Sequence, residues 1–168
     1  EAKAAAYAAD MRAKADKIER KLVVDRSKLE SEIALLKLKS RQEDEFTAQE
    51  RKAALLKAQE LEESLLDKET EYLALRRDAQ VLENTFSRSN KENLDKEAQA
   101  IAEVNRVVAR RADNARATQR ELNRVSKEIE NDEKAKKKKK DDEDLEEQKK
   151  EALRLEGIQK IMDEFKKK

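Results

Sequence analysis

The sequence predicts an all-α fold, an extended long-helix coiled coil with no globular core. Three observations carry this. Charged residues make up 47% of the 168 residues, against a usual ~25% in soluble domains. Glycine occurs once and proline never, which leaves almost no turn chemistry of the ordinary kind and speaks against sheets and compact bundles. Apolar residues recur in alternating steps of four and three, the spacing of a helical seam. Of the apolar residues, 24 are alanine, so the large side chains are too few for a layered core of this length. The seam is therefore expected to be covered by another chain.

Residues 1–39 form an N-terminal segment with Met11, Ala15, Ile18 and Leu22 in phase. Asp25 then intrudes before Leu29, and Ile33 and Leu36 enter four residues out of phase, which reads as a stutter. A core-poor gap follows at 40–52, where SRQEDEFTAQ offers only Phe46 and Ala48. Without Gly or Pro the helix is expected to continue through it.

The most regular seam lies at 53–86. Ala54, Ala58, Leu61, Leu65, Lys68, Tyr72, Leu75, Ala79, Leu82 and Phe86 keep the 4–3 step, and Lys68 is the one polar member. Leu61, Leu75 and Leu82 take d positions, and Leu65, Tyr72 and Phe86 take a positions. A phase break, SRSNKEN, occupies 87–93. The second heptad segment, 94–130, repeats Leu94, Ile101, Val108, Ala115, Leu122 and Ile129 every seven residues. Its other half is small or polar: Ala98, Asn105, Ala112, Gln119 and Ser126. Polar seam residues fix register and partner at a cost in stability, so Lys68, Asn105 and Gln119 are assigned to partner choice. Val104, Val107 and Val125 widen the stripe, which points to a shifted phase or a third surface nearby.

The block 131–150 sets five consecutive lysines, Lys136, Lys137, Lys138, Lys139 and Lys140, against Asp141, Asp142, Glu143 and Asp144. It reads as a solvated helix or, more sharply, as a docking patch for an acidic partner. Nucleic acid is disfavoured, since the adjacent acids repel phosphate and no aromatic is interleaved for stacking. The last segment, 151–168, is a short amphipathic helix with Leu155, Ile158, Met162 and Phe165 in phase and Gly157 inside it. A fully helical chain would measure roughly 250 Å.

The inventory excludes much chemistry. Zinc sites and nucleophile–base pairs lack Cys and His, both absent. A lone glycine cannot build a phosphate-cradling loop, and a rod offers carboxylates no dry pocket. No enzyme activity and no cofactor are expected. No apolar run is long enough to span a bilayer, and forty basic against thirty-nine acidic residues give no field toward membranes. The absence of cysteine fits a cytoplasmic chain.

The run EYLALRRDAQVLENTFSRSNKEN (71–93) closes an apolar heptad on a cluster of Ser and Asn. It resembles segments of the long coiled-coil ruler and docking subunits of ciliary and flagellar axonemes. That resemblance implies a cytoskeletal rod along doublet microtubules, with tubulin and other axonemal proteins as neighbours. The residues themselves call for a coiled-coil partner chain, with a hetero-dimer favoured over a homo-dimer because Asp25, Lys68, Asn105 and Gln119 ask for specific complements. The alternatives are an adaptor docking through the lysine run and a charge-stabilised single-helix spacer.

Overall fold

A computed structural model describes residues 2–86 and 91–166, with side chains described through Met162. It contains three helices, α1 (Ala2–Arg41), α2 (Ala48–Phe86) and α3 (Lys91–Lys166), and no strand among the described residues. The chain is all-α. It divides into two units, residues 1–125 and residues 126–168.

The 40–52 gap does not stay helical. Helix α1 stops at Arg41 and α2 starts at Ala48. The physical reason is a capping box at Thr47 and Glu50. The Glu50 carboxylate accepts from the Thr47 amide at 2.9 Å, and Thr47 Oγ1 accepts from the Glu50 amide at 3.3 Å. Together they satisfy two amides that open a helix. The Phe46 amide donates to the Gln42 carbonyl at 3.2 Å, and Lys39 Nζ lies 4.4 Å from the Phe46 ring centroid. No described non-glycine residue has a positive φ. This reversal needs neither Gly nor Pro, so their absence did not forbid it.

The reversal brings α1 and α2 together antiparallel, and here a second expectation is corrected. The apolar seams of these helices cover each other instead of awaiting another chain. Arg12 pairs with Glu83, Arg26 with Glu69 and Lys37 with Glu62, so positions rise along α1 as they fall along α2. Leu22, Ile33, Ala58 and Leu65 form one buried cluster, with Leu29, Leu36, Leu61 and Tyr72 packed against it. Nearer the start of α1, Ala8, Met11 and Ala79 form another, flanked by Leu75, Leu82 and Phe86. Ala8 and Ala79 are fully buried. Alanine at such positions lets two helices approach closely, so a core poor in large side chains still closes.

Helix α3 packs on α2, again antiparallel. Asn84 Nδ2 donates to Glu97 at 2.6 Å and to the Asn93 carbonyl at 3.1 Å, and Arg111 pairs with Asp67. Leu66 and Leu73 of α2 bury against Val104 and Val107 of α3, with Tyr72 joining this cluster to the α1–α2 core. Residues 87–90 of the expected phase break lie outside the described residues.

The second unit is helical to Lys166, and every residue from Glu130 to Met162 is exposed. Lys134 pairs with Glu130 at 2.5 Å and Lys160 with Glu156 at 2.9 Å. Both are i,i+4 pairs with the acid first, the favourable order against the helix dipole. A Cβ at Gly157 would meet open space.

Candidate association surfaces

Three features of residues 1–125 bear on what the chain can bind, and the first is polar. Glu69 lies between the three helices with 7% of its surface exposed. Its carboxylate accepts from Arg26 Nη2 of α1 at 2.9 Å and from Arg110 of α3, Nη1 at 3.1 Å and Nη2 at 3.2 Å. A buried carboxylate needs this many charge-assisted donors to offset its lost hydration. The three residues are 43 and 41 positions apart, and no local pattern marks such a triad.

A second carboxylate latches the reversal. Glu43 pairs with Arg51 Nη1 at 3.5 Å and with Arg124 of α3. Arg51 is 1% exposed. Arg41 reaches Glu121 at 3.4 Å, so the end of α1 and the turn after it are both tied to α3. On α2, Arg76 spans Asp16 at 3.0 Å and Glu19 at 2.6 Å while its guanidinium lies 5.6 Å from the Tyr72 ring centroid. The hydrogen bond to Asp16 holds the Arg76 proton more firmly than usual.

Clefts line the α1–α3 side, floored by α2. One, about 300 Å³, is bordered by Arg26, Ile33, Leu65, Glu69 and Arg110. Another of about 340 Å³ lies between Arg12, Arg76, Lys96 and Glu103. Each carries charges that already have partners within the fold, as at Arg26, Glu69 and Arg76.

The third feature is a helix face. The structure puts the 53–86 seam residues Leu61, Leu65, Tyr72, Leu75, Leu82 and Phe86 on the α1–α2 contact. Lys68 lies 3.9 Å from Asp25, so these two polar intrusions complement each other inside one chain. The 94–130 seam divides. Leu122 is buried and Ile129 half-buried. Leu94, Ile101 and Val108 are 53%, 40% and 54% exposed. The buried positions are instead Val104, Val107 and Val125, at 8%, 1% and 3%. For Val104 and Val107 the third surface that the sequence signalled is α2, through Leu66 and Leu73. Asn105 and Gln119 lie on the exposed face, and Gln119 donates to Asn123 at 2.9 Å.

Lys136, Lys137, Lys138, Lys139 and Lys140 are all exposed, as are Leu155, Ile158 and Met162. The Phe165 side chain lies outside the described residues. Among the described residues no cluster of His, Cys, Asp or Glu is placed to hold a metal ion, and no helix is long and apolar enough to cross a membrane. No family model, curated protein or solved structure matches the chain.

The residues that sequence reasoning missed are Thr47, Glu50, Glu43, Arg51, Glu69 and Arg110. For Thr47 and Glu50 a signal existed, since T-x-x-E ahead of an apolar-periodic run is the mark of a helix start.

Proposed function

We propose that this chain is a structural scaffold segment whose chemistry is helix association, working as part of a filamentous or cytoskeletal assembly. The observation that carries the reading is the two-faced helix α3. One face buries Val104 and Val107 in the chain's own fold, while the adjacent heptad face leaves Leu94, Ile101 and Val108 open. A regular open heptad stripe is the surface a further helix would use, by knobs-into-holes packing. The coiled coil is then completed by another helix on this stripe. In its most specific form, which rests on the resemblance of residues 71–93, the assembly is axonemal and the filament a microtubule.

Co-sedimentation with polymerised microtubules, followed by crosslinking, tests the reading. The chain is expected in the pellet, with crosslinks from residues flanking the 94–115 stripe. A chain that stays in the supernatant and gives no crosslinks in a native axonemal extract would remove the scaffold reading.

A second reading is favoured by the full exposure of Lys136 to Lys140. It makes the chain an adaptor that docks an acidic partner, such as the tubulin surface, through this run. Replacing the five lysines by glutamine should then abolish pelleting while leaving helix content unchanged. Undiminished pelleting would reject it.

A further inference from the structure

The open stripe on α3 has its own charge pattern, and that pattern chooses among occupants. Taking Leu94, Ile101, Val108 and Ala115 as d positions, the a positions are Ala98, Asn105, Ala112 and Gln119. The flank turned away from α2 holds Asp95, Ala102, Ala109 and Arg116. All of these except the half-buried Ala102 are exposed. The flank is acidic at its start, basic at its end and small in its middle. That order complements itself when reversed.

We propose that the occupant of this stripe is a second copy of the same chain, packed antiparallel across a two-fold axis near Asn105 and Arg106. The proposal rests on the association reading above and specifies its partner. Antiparallel seams pair a with d positions. In the register that layers Asn105 with Val108 of the copy, Ile101 meets Ala112 and Ala98 meets Ala115. On the flank Asp95 then faces Arg116 of the copy, twice by symmetry, and Ala102 faces Ala109. Shifting either helix by a heptad sets Asp95 against Ala109 or Asn123 and loses both ion pairs. The charges therefore select one register, as an isologous two-fold contact requires.

Two further observations favour a copy over a different chain. The demand for specific complements came from Asp25, Lys68, Asn105 and Gln119, and the first two satisfy each other within the fold at 3.9 Å. Asn105 and Gln119 remain, and both lie on the stripe. In the proposed register the two Asn105 amides fall within one turn of each other across the axis, where polar seam residues fix register. The geometry also leaves room. On a helical wheel the face of α3 on α2 lies about 100° from the open seam, so α2 and its copy would stand side by side without collision.

The chain contains no cysteine, so introduced thiols report pairing cleanly. In the full chain, Ala102→Cys/Ala109→Cys should form disulfide-linked dimers under mild oxidation. Within one helix these positions are about 10 Å apart along the axis, too far to bridge. Each single variant should stay monomeric on a denaturing gel, because 102 does not face 102. Efficient crosslinking by both single variants would show parallel pairing and overturn the proposal. Sedimentation equilibrium supplies the second arm. Asp95→Arg should weaken self-association about tenfold by turning two ion pairs into repulsions. Asp95→Arg/Arg116→Asp should restore it, and failure of the double swap to restore it would overturn the register. A monomer at all concentrations would overturn the inference outright. If that monomer still pelleted with microtubules and lost this through Ile101→Glu, the association reading would survive with a different occupant.

Discussion

Glu69 and Arg110 form a two-pronged ion pair, Nη1 to Oε2 at 3.1 Å and Nη2 to Oε1 at 3.2 Å, and the same carboxylate holds Arg26 of the first helix at 2.9 Å. One side chain thus fixes the register of α2 against both neighbours. Removing it leaves the Arg110 guanidinium beside that of Arg26 without their shared counter-charge, and Arg26 keeps only Glu30, 3.6 Å from its Nε. Truncation of a fully buried partner costs ~3–5 kcal/mol. Here the arginines are 38% and 49% exposed, so water recovers part of the loss. Glu69→Ala is expected to destabilise by about 2 kcal/mol in urea denaturation. Glu69→Met, which keeps the volume, should cost less than Glu69→Ala. Equal losses for the two would show that the lost charge, not packing, sets the whole effect.

The reversal between α1 and α2 rests on a reciprocal cap. Hydrogen bonds from the Thr47 amide and hydroxyl hold the Glu50 carboxyl below its ordinary range. Folding therefore favours the ionised form, and the cap contributes fully above the unfolded carboxyl's range and is lost as pH falls through the folded value. Thr47→Ala should cost about 1 kcal/mol at neutral pH. Glu50→Gln should reduce the acid-side pH dependence, read as urea midpoints at pH 3 and pH 7, and leave the share of Glu92 and Glu130, which are lowered too. A variant whose midpoint falls as steeply with acid as the parent would place that dependence elsewhere.

These two sites show what was readable in the chain and what was not. Helical character was legible throughout, because Ala, Leu, Lys, Glu and Arg dominate and the apolar period is 3.5. The seams of α1 and α2 were legible as stripes, but a stripe does not say whether its cover comes from the same chain. That depended on a six-residue reversal whose capping box, Thr47 to Glu50, is marked in the sequence only by its T-x-x-E spacing, with no Gly or Pro beside it. The Glu69 triad was not legible at all. Its members stand 41 and 43 residues apart, and each alone resembles a solvated charge. On α3 two apolar stripes overlap, and the heptad rule chose Leu94, Ile101 and Val108, whereas α2 covers Val104 and Val107. Periodicity finds a face of a helix, and tertiary contact decides which face is inside.

Val107 and Val108 make that last contrast measurable, since they are neighbours with opposite environments. Val107 is 1% exposed and Val108 54%. Val107→Ala removes two buried methyl groups and leaves a cavity beside Leu66 and Leu73, with an expected loss of about 2 kcal/mol. Val108→Ala should stay within about 0.5 kcal/mol in the monomer. Thermal melts at low protein concentration separate the two. A larger loss at Val108 would mean that α3 is rotated about its axis.

Tyr72 gives the alkaline counterpart of the Glu50 effect. Burial raises the phenol above its ordinary range, and the carboxylates of Glu69 and Glu19 raise it further against the opposing pull of Arg26 and Arg76. The folded state keeps this proton when the unfolded chain has lost it. Stability must therefore fall as pH rises past the ordinary tyrosine range toward the folded value. Lysines titrate there too, so the comparison is between the parent and Tyr72→Phe. The parent should lose more of its urea midpoint between pH 9 and pH 11, and parallel declines would remove Tyr72 as the cause.

Gly157 tests the exposed helix of residues 126–166 by itself. It sits within a helical stretch, and nothing lies within 4 Å of the position a Cβ would take. Glycine inside a helix costs ~0.5–1 kcal/mol relative to alanine through backbone entropy. No steric penalty offsets that gain here, so Gly157→Ala should stabilise the surrounding turns. Global unfolding would miss the effect, since residues 1–125 have their own core. Amide hydrogen exchange reads it directly. Protection at residues 155–161 should rise by up to about fivefold, the equivalent of ~1 kcal/mol. Unchanged exchange would mean that the last turns are held by something other than their own backbone, and faster exchange would mean that this glycine does not lie in an open helix.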